Sequence, residues 1–176
     1  ATCNSLSAHV QQLTALGHKP DILIVDYADL LRSSTRVDAR YQELGAIYEE
    51  LRNIAGELNI PVWTASQTQR SSIQDDVIQA DKIAESYQKI MTADLVISFS
   101  RKLEYKVNKT GRAHIIKNSF GPDGQTFPVI IDTSIGQIEV YDESSSKGIL
   151  LKKQMNNQQF DEKSNLRKKL AEMTGL

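Results

Sequence analysis

The sequence has one cysteine, four prolines and no long apolar run, and each scarcity excludes a class of protein. Cys3 cannot form an internal disulfide, and no cysteine and histidine spacing typical of a zinc site occurs, so we expect a protein of the reducing cytoplasm. The longest apolar run, Ile22 to Val25, is far shorter than the ~20 residues that cross a bilayer. With 176 residues, 40% of them apolar, the chain is long enough for one domain with a buried core.

The first part of the chain alternates a helical period with a β-branched run. Asn4 or Ser5 is expected to cap a first helix, which Gly17 ends. Residues 22–26 are a continuous apolar run that ends in an acid. Such a run is typical of a strand buried on both faces of a parallel sheet.

A second helix and strand complete a right-handed β-α-β unit over residues 22–66. From about Asp38, apolar residues recur at helical spacing, and Pro61 requires the helix to end near Asn59. Residues 62–66 are predicted to form the next strand, with Trp63 in the core.

The following segments continue the α/β pattern and then change to short strands. Residues 67–80 are polar and long for a connection, which is common in functional loops. Asp81 is expected to cap a third helix, before a third buried strand over 95–97. The helix would present one apolar face, formed by Ile83, Tyr87, Ile90 and Met91.

Turn residues and short β-branched runs after Ser100 predict a terminal β-meander. Its strands are expected near 113–116, 127–131 and 137–141, with a turn at 121–124. The next stretch is rich in Ser, Asn, Gln and Lys, so we expect a linker over 142–159 and a last helix over 161–173. The predicted domains are therefore 1–142 and 143–176.

Three polar side chains stand at predicted strand ends, where open α/β sheets bind ligands. Asp26 is suited to hold a divalent cation beside a phosphate, although such an acid often only caps the next turn. Gln67 can hydrogen-bond a terminal phosphate or an attacking water, or it is an ordinary polar loop residue. Lys117 can reach a phosphate, or it faces water.

Four motifs, in this order and spacing, resemble the RecA-type motor domain of DnaB-like replicative DNA helicases over about residues 4–141. They are Lys19 to Leu31, Glu57 to Gln67, the pair Glu85-Ser86 with Ala93-Asp94, and Lys117 to Gly124. The resemblance implies a partial RecA-like α/β fold of the P-loop NTPase type. Its mainly parallel sheet would be flanked by helices and end in the β-meander.

The resemblance also implies a role for each matched residue. Asp26 matches the acid that holds Mg²⁺ through water, and Gln67 matches the sensor of the terminal phosphate of ATP. Lys117 matches the lysine that reaches the nucleotide site of the next subunit in a ring, which would be a hexamer. The site would thus need ATP, Mg²⁺ and identical subunits.

Contacts with single-stranded DNA are implied for two pairs of residues, Arg70 with Ser71 and Glu85 with Ser86. A third candidate is the stretch 101–117, which has six basic residues and one acidic residue in a chain of net charge −1. That stretch is either a DNA groove or a solvated hairpin loop. Tyr105 is its only aromatic residue, so phosphate contacts with a marked salt dependence would dominate.

Two departures from the family pattern bear on catalysis. Ser119 stands where the family has an arginine finger, and a serine cannot replace a guanidinium. No Gly-x-x-x-x-Gly-Lys-Ser/Thr motif occurs, so no phosphate loop is present in the sequence. In the resembled family that loop precedes the matched part, so we expect a carboxyl-terminal piece of a longer motor.

The leading functional hypothesis is therefore part of an enzyme, an ATP-dependent ring helicase that moves along single-stranded DNA in replication. This chain alone is expected to be inactive, and the host is expected to be a bacterial or phage-infected cell. Two alternatives stay open. One is a non-catalytic RecA-like module for subunit contact or strand binding, and the other is a RecA or KaiC-type ATPase not devoted to unwinding.

Overall fold

The computed structural model describes residues 1–34, 39–67, 77–78, 87–102, 105 and 108–157. The chain divides into two compact units. The first unit comprises Ala1–Arg70, Gln79–Val96 and Lys117–Gly121, and the second comprises Ser71–Ile78, Ile97–Ile116 and Pro122–Leu176. Within the described part, no helix is both long enough and apolar enough to cross a membrane.

Helix α1 spans Cys3–Ala15 and begins two or three residues before the expected position. Its cap is Thr2 rather than Asn4 or Ser5, because Thr2 and Ser5 form a reciprocal capping box. Gly17, with φ of 87°, lies just beyond the end of the helix, as predicted. Burial raises the pKa of the Cys3 thiol to about 12, so the thiol stays protonated and unreactive.

Helix α2 spans Arg40–Leu58 and supplies most of the core of the first unit. The predicted apolar stripe is buried, as expected for an amphipathic helix, and includes Leu44, Ile47, Leu51 and Ile54. Asn59 ends the helix in the left-handed conformation, with φ of 50°, two residues before Pro61. The predicted helix and its end are confirmed.

Strands β1 (Leu23–Val25) and β2 (Val62–Thr64) form a two-stranded parallel sheet. Leu23, Val25 and Val62 pack against the core formed with α2. The opposite face carries Ile24 and Trp63, which are 72% and 51% exposed. The expectation that both faces are buried was wrong, as was the assignment of Trp63 to the core, because the helix covers only one face.

The open face, and an edge of β2 that pairs with no strand among the described residues, predict self-association of the isolated chain. We expect Ile24→Lys to weaken that association about tenfold, since it removes one apolar contact from the face. Sedimentation equilibrium measures the change, with Ile138→Lys as a control at a similarly exposed isoleucine of the second unit. A monomer that melts cooperatively at all concentrations would contradict this prediction.

Helix α3 spans Gln88–Thr92 and differs from the predicted third helix. Ile90 is buried as expected, but Tyr87 and Met91 are exposed, so the predicted apolar face was wrong. The buried neighbour of Ile90 is instead Lys89, whose ammonium group has an ion-pair partner. Asp81 and Ile83 lie outside the described residues.

The second sheet has four strands in the order β3, β4, β5, β6. They are Leu95–Ser100, Thr110–Asn118, Thr126–Asp132 and Gln137–Val140. The antiparallel pairing of β4 with β5 and of β5 with β6 confirms the β-meander. The expected third strand is present as β3, which pairs with β4, but the expectation that it is buried was wrong at Ile97, which is 38% exposed.

Strand β4 begins at Thr110, earlier than expected, and Gly111 allows it to lie close to Ser100. A Cβ atom at this position would lie 2.7 Å from the backbone oxygen of Ser100, so only glycine permits the approach of the chain there. Sequence periodicity does not reveal such a contact.

Residues 146–157 form a helix, α4, within the expected linker. Ser145 caps it, since the backbone N–H of Gly148 donates to the Ser145 hydroxyl at 3.0 Å, and Leu151 and Met155 are buried. The linker prediction was wrong over this range because the polar composition concealed the cap and the apolar pair. The helix predicted over 161–173 lies outside the described residues, and the domain boundary after residue 142 stays a prediction.

Candidate functional site

Asp26 and Gln67 lie at the same edge of the parallel sheet, as the sequence predicts. Val25 and Thr64 are the last residues of β1 and β2 and lie directly opposite each other, so both strands end at that edge. The Gln67 side-chain amide donates to the Tyr27 hydroxyl at 3.0 Å. Because Tyr27 directly follows Asp26, this hydrogen bond joins the segment after β1 to the segment after β2. Both candidate side chains are exposed.

Thr64 shapes the turn that follows β1. Its hydroxyl donates to the Val25 carbonyl at 2.9 Å and accepts from the Ala28 backbone N–H at 2.9 Å. A 3₁₀ turn over Ala28–Leu30 follows, and Arg40 donates to the Asp29 carbonyl at 2.5 Å. The backbone after Asp26 is therefore held by side chains from β2 and α2.

The Asp26 carboxylate has no hydrogen-bond or ion-pair partner within the part of the chain that the structure describes. It is exposed at the end of a strand. A free carboxylate at this edge fits a water-mediated contact with Mg²⁺, because Mg²⁺ retains several waters and prefers oxygen ligands. The residues present therefore fit the implied metal.

A polar cluster around the buried side chain of Lys89 lies beside this edge, and sequence reasoning missed it. The Asp29 carboxylate accepts from Lys89 at 2.9 Å, from the Ser66 hydroxyl at 3.1 Å and from the Tyr48 hydroxyl at 3.1 Å. Lys89 also donates to Ser66 at 3.0 Å, and its side chain is only 3% exposed. Burial and the neighbouring Asp29 raise the pKa of Tyr48, which keeps its hydroxyl protonated as a donor.

The sequence carries no signal for this cluster. Lys89 directly precedes Ile90 in a predicted helix, and its burial is visible only in the structure. Its partner Asp29 is 60 residues away in the chain, so no local pattern identifies the pair.

Lys117 lies at the end of α3 in this structure. Its ammonium group donates to the Met91 carbonyl at 2.7 Å and to the Ile90 carbonyl at 3.1 Å. Arg52 donates to the Thr92 carbonyl at 2.5 Å, next to that position. These cations satisfy carbonyl groups that the end of a helix leaves open.

The Ser119 segment follows β4 as an exposed turn. The Ser119 backbone N–H donates to the Asp94 carbonyl at 2.8 Å, and the Phe120 backbone N–H donates to the Asn118 side chain at 3.0 Å. The Ser119 side chain is exposed, so a longer residue at this position has room.

The nucleic-acid predictions are only partly open to description. Arg70, Ser71, Glu85 and Ser86 lie outside the described residues, and their DNA contacts stay predictions. Within the basic stretch 101–117, Tyr105 is buried, so its ring is not exposed for stacking on a base.

Part of the positive charge of that stretch is already paired. The Lys109 ammonium group lies 2.5 Å from a carboxylate oxygen of Asp132. Hydrogen bonds to this carboxylate, first from Lys109 and then from Ser134, lower the pKa of Asp132 to about 2. Asp132 is therefore ionised at neutral pH and offsets the charge of Lys109. This favours the solvated-hairpin interpretation at that position.

Comparison with known proteins places these features in context. Residues 1–135 match the DnaB-like helicase C terminal domain family. A probable replicative DNA helicase of Trieres chinensis is 35% identical over 91 residues, which are 49% of this chain and 20% of that protein. The replicative DNA helicase DnaB of Leifsonia xyli subsp. xyli is 32% identical over 107 residues, 57% of this chain and 23% of that protein.

Among solved structures, a DnaB-like replicative helicase, described with its interactions with primase, superposes with a TM-score of 0.67 at 24% identity. The match covers 78% of this chain and 35% of that one, and it shows the RecA-like helicase ATPase fold. The expected fold class is thereby confirmed. The chain spans about a fifth of the length of the curated relatives that it matches.

Proposed function

Because the chain belongs to the DnaB-like helicase C-terminal domain family, we propose that it forms part of a replicative ring helicase motor. The motor couples ATP hydrolysis to movement along single-stranded DNA in the cytoplasm. One observation carries the proposal: Asp26 and Gln67 stand at one edge of the parallel sheet, and Tyr27 hydrogen-bonds Gln67 there. This is the edge at which α/β sheets bind phosphates.

Each side chain at this edge has a distinct role in the proposal. Asp26 would hold Mg²⁺ through water, and the metal, when bound, would supply positive charge that offsets the phosphates of ATP. Gln67 contacts the terminal phosphate or orients the attacking water through its amide, which carries no net charge. The hydrogen bond to the Tyr27 hydroxyl uses one N–H of that amide and leaves its second N–H and its carbonyl oxygen for these contacts.

Lys117 acts on the nucleotide of the next subunit in a ring of identical subunits, proposed to be a hexamer. Its ammonium group rests on the Ile90 and Met91 carbonyls, which it releases in the assembled ring. Arg70, Ser71, Glu85 and Ser86 contact the single strand in this proposal. The domains are the motor segment 1–142 and a carboxyl-terminal extension from 143.

The experiment that tests this proposal is a substitution at Ser119. We expect Ser119→Arg, made in the full-length protein that contains residues 1–176, to raise ATP hydrolysis in the presence of single-stranded DNA at least ~10-fold. The reason is that a guanidinium neutralises charge that develops at the transferred phosphate. Ser119→Gln is the matched control, since it adds length without charge and should leave the rate unchanged. Absence of turnover by both the native protein and Ser119→Arg would contradict the motor proposal.

A second candidate function is a non-catalytic RecA-like module that binds subunits or a single strand. Ser119 in the finger position favours it. Salt-sensitive binding of single-stranded DNA without hydrolysis of ATP in the same assay would identify this alternative.

A further inference from the structure

Lys89 and Asp29 form a buried ion pair that the proposed chemistry does not use. Their side chains are 3% and 14% exposed, and their charged atoms are 2.9 Å apart. Removing two charges from water is costly, and apolar residues of similar size often support stability equally well. Packing alone therefore does not explain why this position has a buried ion pair instead of apolar side chains.

The contacts of Lys89 point to that reason. Its ammonium group donates both to Asp29, which follows Asp26 by three residues, and to the hydroxyl of Ser66, which directly precedes Gln67. Ser66 in turn donates to Asp29 at 3.1 Å. The three groups form a closed triangle between the two segments that carry the candidate phosphate-facing residues.

The triangle is one of several side-chain bridges between these segments. Gln67 donates to the Tyr27 hydroxyl at the exposed edge, and the Thr64 hydroxyl bonds both Val25 and Ala28. Of these bridges, the triangle is the one that holds Ser66, which directly precedes Gln67. Loss of Lys89 would therefore remove a bond that holds the residue next to Gln67.

We propose that Lys89 is a positioning residue that holds Ser66 against Asp29 and thereby sets where Gln67 stands relative to Asp26. Lys89 also lies on α3, whose terminal carbonyls receive Lys117. Helix α3 thus contacts both the segment that carries Gln67 and Lys117, the lysine proposed to act on the nucleotide of the next subunit. The kinetic part of this inference rests on the proposed function, and the geometric part does not.

The geometric test uses the isolated chain and the neutral double variant Asp29→Asn/Lys89→Met, which removes both charges and keeps similar volumes. We expect the NMR signals of the Gln67 side-chain amide to shift and its hydrogens to exchange faster with water. Signals of Gln137, on β6, should stay unchanged. The control is Glu143→Gln/Lys152→Met, which neutralises an exposed pair that is also 2.9 Å apart. Unchanged Gln67 signals in the folded double variant would overturn the inference.

The kinetic test uses the full-length protein with the same two double variants. We expect Asp29→Asn/Lys89→Met to lower kcat for ATP hydrolysis with single-stranded DNA at least ~10-fold, because a misplaced group loses alignment with the phosphate. The KM for ATP should stay within about twofold, since only the sensor moves. A structural role alone would lower the amount of folded protein and leave kcat per folded subunit unchanged, which would also overturn the inference.

Ser66→Ala keeps the inference testable if the double variant does not fold. It removes only the hydroxyl through which Lys89 holds the sensor segment, and it leaves the ion pair intact. The same Gln67 signals and the same fall in kcat are expected, and native values of both would contradict the inference. A native protein that hydrolyses no ATP would instead count against the proposed function, while the NMR test still decides the geometry.

Discussion

Lys89→Met is expected to lower the free energy of unfolding of the chain by about 3–5 kcal/mol, because it leaves Asp29 as an unpaired charge in a buried site. The Asp29 carboxylate would keep donors only from Ser66 and Tyr48. Urea denaturation followed by circular dichroism measures the loss. The matched control is Lys152→Met, which breaks an ion pair whose side chains are 56% and 47% exposed. It should cost less than about 1 kcal/mol.

The neutral double variant separates loss of the pair from loss of one partner. Asp29→Asn/Lys89→Met is expected to recover most of the stability, since no buried charge remains. If Lys89→Met costs no more than Lys152→Met, the ammonium group of Lys89 is not buried against Asp29 in solution. That result would contradict both the stability prediction and the positioning role.

Asp26→Asn in the full-length protein is expected to lower ATP hydrolysis with single-stranded DNA at least ~10²-fold, because a neutral amide holds hydrated Mg²⁺ poorly. The fold should be unaffected, since Asp26 is exposed and has no partner among the described residues. The free energy of unfolding should therefore change by less than about 0.5 kcal/mol. A steady-state ATPase assay beside a denaturation curve separates the two effects.

Asp21→Asn is the matched control for this prediction. It makes the same chemical change at an exposed acid just before β1 and should leave the rate unchanged. Equal rates for native protein and Asp26→Asn would remove Asp26 from the catalytic site. Equal losses for the two variants would indicate that the rate responds to net charge rather than to the position of the carboxylate.

The elements predicted well are those whose signal is local. Helix α2 has a long apolar period, and Pro61 marks its end, so its bounds follow from residues close together in the chain. The shared edge of Asp26 and Gln67 was predictable for a related reason. The crossover helix of a β-α-β unit returns the chain to the starting end of the sheet, so its two strands are parallel and end at the same edge.

The features that were missed depend on distant partners. The apolar run ending at Val25 does not reveal which of its faces is covered, and the structure leaves Ile24 exposed. The burial of Lys89 depends on Asp29, whose position relative to α3 is set by the tertiary fold. Helix α4 is a different case, since Ser145 was a local cap signal that its polar surroundings obscured.

In the proposed function, the full-length protein that contains residues 1–176 separates DNA strands with ATP through the edge that carries Asp26 and Gln67. The most direct measurement is displacement of a labelled strand from a forked DNA duplex by the full-length protein that contains residues 1–176. The native protein should displace the strand with ATP and not with ADP, and Asp26→Asn should displace none. Failure of the native protein, or equal displacement by Asp26→Asn, would contradict the claim.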